Sequence, residues 1–198
     1  MKTRVKICSI TNLEDACMAV EYGADVLGFI FTKSPRQIDP ESAKHIINQL
    51  PPFVTSVGVF MDDSCEYVEK ITSFTGINVI QLHGNESPNY CQRINKPIIK
   101  RIHVCENDTS ETLISRMKLY SVSAFLLDPG AGSGKTFDWN IAKPIDYPII
   151  IAGGLNPENV GSVVKLLKPY GVDVSSGVEK TLGKKDPKKV KRFIEEVQ

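Results

Sequence analysis

Short apolar, β-branched runs recur along this chain, and after each comes a longer stretch whose apolar positions return with helical spacing. The runs are RVKIC from Arg4, VLGFIF from Val26, VTSVGVF from Val54 and INVIQL from Ile77. PIIKRI from Pro97, SAFLLD from Ser123, YPIIIA from Tyr147 and GVDVS from Gly171 follow. Successive starts lie 20 to 28 residues apart, room for a strand, a helix and two short loops. In NLEDACMAVEYG, Asn12 is placed to cap a helix whose first turn carries Glu14 and Asp15. NPENVGSVVKLLKPYG repeats the logic, with Asn156 as cap, Pro157 at the first helical position and Gly171 beyond the end.

A strand that returns parallel to its predecessor needs a right-handed helical crossover. Eight such units predict an α/β fold, a parallel sheet closed into a (β/α)8 TIM barrel. The 198 residues fall at the lower end, about 200, for that architecture. An open doubly wound sheet rarely uses eight units of such even length. No linker, low-complexity tract or shift in composition marks a boundary, so one domain over residues 1–198 is expected.

Charge and composition narrow the partners. Lys plus Arg number 24 against 23 Asp plus Glu, a net charge of +1 that gives no electrostatic case for nucleic acid or an anionic membrane surface. No apolar run approaches the roughly 20 residues that span a bilayer. The opening MKTRVKICSITN turns polar too early for a signal peptide, so a soluble, cytoplasmic protein is expected. Five cysteines without a CxxC pair argue against a disulfide framework. Three histidines (His45, His83, His103) show no paired ligand spacing with them, so no metal is expected. Cys17 and Cys91 lie in amphipathic stretches and read as small buried hydrophobes.

In a barrel of this kind chemistry sits at the C-terminal ends of the strands. Cys8 ends the first run, His83 follows the fourth, Asp128 ends the sixth, and Asp173 and Ser175 lie on the eighth. Alternation puts Lys6 with Cys8, Gln81 with His83, and Asp173 with Ser175 on shared faces. With the polar face inward, the barrel mouth holds a thiol, two carboxylates, a lysine and an imidazole. Lys6 and Asp173 read equally well as a buried ion pair. Gly153-Gly154 after the seventh run, and Ser175, Ser176 and Gly177 after the eighth, occupy the two loops that hold a phosphate in this architecture. Backbone N–H groups reach phosphate oxygens where no Cβ intervenes. GAGSGKT from Gly130 imitates a nucleotide P-loop, but Pro129 stands where the first glycine is required. It reads instead as a mobile loop closing over a site.

KICSITN, LGFIF with SPR after it, VGVF, QLHG, LLD followed by GSGKTFDW, AGGLNPENV and DVSSGVE are together similar to phosphoribosylanthranilate isomerase of tryptophan biosynthesis, in order and over essentially the whole chain. The resemblance implies that Cys8 is the general base and Asp128 the general acid. Arg36 would hold the anthranilate carboxylate, His83 and Asp173 would line the substrate site, and loops seven and eight would bind the 5-phosphate. It implies a small phosphosugar substrate, no cofactor, and a monomer or homodimer. The family has glycine where this chain has Ser9.

The implied Amadori rearrangement suits these residue types. Ring opening needs an acid, which Asp128 supplies if burial raises its pKa. The protonated imine then acidifies C2–H, so a thiolate favoured by nearby positive charge, such as Lys6, is base enough. Competing readings are another phosphosugar barrel, such as the histidine-pathway isomerase or a pentulose-phosphate epimerase, and a catalytically silent phosphosugar-binding barrel. Cys8 speaks against the first of these, the scattered histidines against the second, and intact Cys8, Arg36 and Asp128 against the third.

Overall fold

The computed structural model describes residues 2–130 and 134–198. Strands β1 (Arg4–Ile7), β2 (Val26–Ile30), β3 (Thr55–Phe60), β4 (Val79–Leu82), β5 (Ile98–His103), β6 (Ala124–Asp128), β7 (Ile149–Ile151) and β8 (Gly171–Val174) pair in sequence order. All pairs are parallel, and β8 returns to β1 with Lys6 opposite Asp173, which closes the barrel. Helices α1 (Leu13–Glu21), α2 (Pro40–Ile47), α3 (Cys65–Thr75), α4 (Pro88–Gln92), α5 (Ser110–Met117), α6 (Val160–Leu167) and α7 (Pro187–Val197) follow strands one to five, seven and eight. The loop after β8 adds a small antiparallel pair, β9 (Glu179–Thr181) with β10 (Lys184–Lys185). No helix among the described residues is long and apolar enough to cross a membrane.

Side-chain alternation sorts each strand between two cores. The outward set, including Ile7, Leu27, Phe29, Phe60, Leu82, Phe125 and Val172, packs under the helices. A smaller inward set, Val57, Ile99, Ala124, Leu126, Ile150 and Ala152, fills the barrel interior. Above this apolar plug the inward positions turn polar, and that change of character places a site at the C-terminal mouth.

The helix starts follow the caps read from sequence, with one shift. Asn12 accepts from the Asp15 N–H and opens α1. Asn156 does not open α6: its side chain accepts the N–H groups of Glu158 and Asn159 in a preceding turn, and the helix begins at Val160. That helix ends at Lys168, left-handed at φ 46°, before Pro169 halts it; Gly171 already belongs to β8. The sixth connection carries only a 3-10 turn, Trp139–Ala142, and no α-helix. Phe137, Trp139, Ile141 and Tyr147 cover the barrel there, with Tyr147 edge-on to Phe125. Cys91 is buried as expected, but Cys17 is exposed, on the solvent face of α1. The glycine-rich stretch from Gly130 lies in part outside the described residues.

Just behind β4, Lys100 points outward from β5 and meets Glu86 at 2.7 Å, both essentially buried. Lys100 also donates to the Gly84 carbonyl, and Glu86 accepts the Asp62 and Gly84 N–H groups. Burial pushes the Glu86 carboxyl up, yet Lys100 and these donors bring it below its ordinary value. A carboxyl with a depressed folded pKa stabilises the fold above its unfolded value, about 4.3, and that contribution fades as pH falls through the lower folded value. The urea midpoint is therefore expected to fall with acidification below about pH 5, and more shallowly in Glu86→Gln. At neutral pH that variant loses about 3–5 kcal/mol, because it strands a buried ammonium. An unchanged acid slope in Glu86→Gln would contradict this assignment.

Candidate active site

The mouth of the barrel opens into a cavity of about 440 Å³. Cys8, Arg36, His83, Asp128, Gly153, Gly154, Asp173, Ser175, Ser176 and Gly177 all line it, so every site residue read from the sequence converges here. A larger hollow, about 600 Å³, lies at the opposite end among Val26, Val57, Val79, Ile99 and Val172. It lacks the thiol, imidazole and glycine loops that distinguish the mouth.

Cys8 stands one residue past β1, its N–H still in the ladder to the Val174 carbonyl. Beneath it, Lys6 and Asp173 form an ion pair of 2.9 Å inside the barrel. Burial alone would discharge Lys6, but Asp173 and the neighbouring Cys8 hold its pKa above the ordinary lysine value. The space for this cluster comes from β2. A Cβ on Gly28 would sit 2.7 Å from the Cys8 sulfur and 3.1 Å from the Lys6 Cε. Sequence reading passed over Gly28, although a lone glycine inside a strand is a signal of close approach.

Ser9 departs from regular geometry at φ 63°, where a Cβ is crowded. It is buried, and its hydroxyl lies 2.7 Å from that of Ser175. Ser175 itself follows β8 and is not part of it.

On the far side, Asp128 ends β6. Its carboxylate accepts the Gly130 N–H at 2.9 Å and lies 3.3 Å from His83 Nε2 and 3.7 Å from Arg101 Nε. Burial pushes this carboxyl up, as anticipated, but the hydrogen bonds from His83 and Gly130 and the charge of Arg101 outweigh it. The net effect is downward, the reverse of the expected elevation. Gln81 stands 3.2 Å from His83 Nδ1. The approach of Arg101 to Asp128 was concealed by the strand pattern, because PIIKRI reads as one apolar run interrupted by two bases.

The glycine-bearing loops after β7 and β8 are tightly packed. Gly153 has φ 83°, and a Cβ there would overlap the ring of Pro129. At Gly177 a Cβ would overlap the Leu155 carbonyl oxygen. Ser176–Val178 forms a single 3-10 turn beside them. These loops follow β7 and β8, and so lie on the rim between Asp128 on β6 and Cys8 after β1.

Arg36, in the loop after β2, donates from Nε and Nη2 to the two oxygens of Glu179, each at 2.8 Å. Glu179 was part of the quoted DVSSGVE run, but nothing local to that run named its partner, 143 residues away.

A sequence model of the N-(5'phosphoribosyl)anthranilate (PRA) isomerase family matches residues 5–196. The N-(5'-phosphoribosyl)anthranilate isomerase of Geobacter sp. (strain M21) is 47% identical over 204 residues, covering 99% of this chain and 98% of the relative. Among solved structures, phosphoribosyl anthranilate isomerase from Thermotoga maritima superposes with a TM-score of 0.90 at 43% identity, covering 98% of both chains. A phosphoribosyl anthranilate isomerase in complex with reduced 1-(o-carboxyphenylamino)-1-deoxyribulose 5-phosphate superposes with a TM-score of 0.86 at 41% identity, again over 98% of both. With the mouth-end constellation and these matches over nearly its full length, the chain belongs to the N-(5'-phosphoribosyl)anthranilate isomerase family.

Proposed function

We propose that this protein converts N-(5-phosphoribosyl)anthranilate to 1-(2-carboxyphenylamino)-1-deoxyribulose 5-phosphate in tryptophan biosynthesis, with Cys8 as base and Asp128 as acid. The observation that carries the reading is that a thiol, a carboxylate, an arginine and two glycine loops from five separate strand ends line one cavity. The substrate is anionic at both ends, a carboxylate and a phosphate, with the reacting C1–C2 bond between them. Arg36 offers a planar fork for the carboxylate. Gly153, Gly154, Ser175, Ser176 and Gly177 offer backbone and hydroxyl donors for the phosphate. Cys8, after β1, stands on the rim between the loops after β8 and β2, which suits it to reach C2, and Asp173 and His83 line the same cavity.

The chemistry runs in two proton transfers. A proton passes to the furanose ring oxygen as its bond to C1 breaks and the anthranilate nitrogen lone pair moves in, leaving a protonated imine at C1 and a free hydroxyl on C4. A base then removes the C2 proton, giving an enolamine that becomes the ketone. Asp128 is held as a carboxylate in the open site and so must be loaded before it can act. His83 Nε2 lies 3.3 Å from its Oδ2. Lys6 keeps a positive charge beside the thiol that acts as base. The substrate is a small phosphosugar; a cytoplasmic setting and a homodimer, as in the dimeric Thermotoga maritima relative, complete the proposal.

Fluorescence-monitored consumption of phosphoribosylanthranilate by the pure protein tests the reading directly. Cys8→Ala and Asp128→Asn are each expected to lose about 10²–10⁴-fold in kcat with unchanged circular dichroism. A near-native rate in either folded variant would remove that residue from the mechanism.

Gly28→Ala tests the space beside the Cys8 thiol. The added methyl must displace the thiol or Lys6, at a cost of about 1–3 kcal/mol in stability. A shift of about 1 Å at the reacting group is expected to lower kcat on the order of 10²-fold. Unaltered kcat with a normal melting temperature would show that the cluster has room to spare.

Ser9 is tested by paired substitutions. Ser9→Ala keeps the crowded Cβ and loses the Ser175 partner, and is expected to cost about 1 kcal/mol. Ser9→Gly also loses that bond but relieves about 1–2 kcal/mol of left-handed strain, offset by about 0.5–1 kcal/mol of chain entropy. Glycine should therefore melt at or above alanine, with both variants active; the opposite order would mean that Ser9 is unstrained.

A further inference from the structure

Outside the groups that touch the reacting bond, the most constrained polar feature of the site is the contact between the loop after β2 and the loop after β8. Arg36 and Glu179 meet through two parallel bonds of 2.8 Å, Arg36 Nε with Oε1 and Nη2 with Oε2. Glu179 is buried, and behind it lies Lys185, among the most buried side chains of the molecule, 3.3 Å from Oε1 and 3.2 Å from the Ser175 carbonyl. Lys189 donates to the Glu179 carbonyl and fixes the backbone as well.

A guanidinium has five N–H groups arranged as two forks. Glu179 takes the Nε–Nη2 fork and leaves the Nη1–Nη2 fork for another planar anion. An incoming carboxylate on that second fork meets the guanidinium charge directly. Without Glu179, an arginine on a loop rotates freely, and Lys185 competes for the same anion. We infer that Glu179 is a positioning residue that, backed by Lys185, aims the free fork of Arg36 and so sets recognition of the substrate's aryl carboxylate. This rests on the reading of Arg36 as the group that holds that carboxylate.

The test uses anthranilate and inorganic phosphate as separate competitive inhibitors of the purified enzyme, one for each end of the substrate. Glu179→Gln is expected to raise KM and the anthranilate Ki at least tenfold, with the loss in kcat/KM residing in KM and the phosphate Ki unchanged. Because that variant leaves Lys185 unpaired, Glu179→Gln combined with Lys185→Met keeps the charge in balance and is expected to show the same selective loss. In an Arg36→Ala background, Glu179→Gln should add nothing. If Arg36→Ala leaves the anthranilate Ki unchanged, the reading of Arg36 fails. If Arg36→Ala raises it while the folded Glu179 variants do not, or if they weaken phosphate equally, the positioning role is overturned.

Discussion

The ion pair between Lys6 and Asp173 couples the closure of the barrel to its chemistry. The two residues face each other across the β1–β8 seam, the last pairing the chain can make, since it joins residues 167 positions apart. Neither charge is tolerable alone in the barrel interior, where an unpaired ion costs several kcal/mol. A one-residue slip of β8 against β1 would separate them and turn the side chains of β8 to the opposite face. The pair thus specifies the seam, and it also leaves an ammonium directly beside Cys8. The same contact that fixes where the first and last strands meet determines the electrostatic setting of the thiol.

Much of this was legible in the sequence because the information is local. A strand declares itself through β-branched residues, and a strand end through the polar residue that follows. Cys8, His83, Asp128, the Gly153-Gly154 pair and the Ser175–Gly177 turn were therefore found from their own neighbourhoods. What escaped was relational. Gly28 became informative only beside Cys8 and Lys6, and Glu179 only beside Arg36. The ionisation of Asp128 reflects donors from β4, β5 and its own loop, whose combined pull exceeds the burial that sequence reasoning weighed. The misplaced start of α6 has a similar origin: Asn156 caps a turn as readily as a helix, and only the chain beyond decides which. Cys17 shows the limit of periodicity, since one step around a helix separates core from solvent.

The two sides of the mouth differ in kind. Around Cys8 the charges are paired deep in the barrel or held by the β2 and β8 loops, whereas Asp128 is surrounded by donors that all favour its anion. The hydrogen bonds and charge around Asp128 favour its anion, so under the proposed roles the acid gains its proton against the pull of its surroundings. Lys100 and Glu86, outside the barrel, hold the loop that follows His83 and so bear on the Asp128 side without entering the cavity.

The close approach of the loops at Gly153 and Gly177 has a thermodynamic consequence. Backbone that is already in van der Waals contact with Pro129 and Leu155 has little freedom left to surrender when a ligand arrives. Ordering a loop on binding typically subtracts from affinity, side chain by side chain. Here most of that entropy was lost when the chain folded, so a ligand at these loops meets a surface of fixed shape. Under the proposed function, attraction to the phosphate is then expressed almost undiminished as affinity, and stays available to hold the sugar while its ring opens.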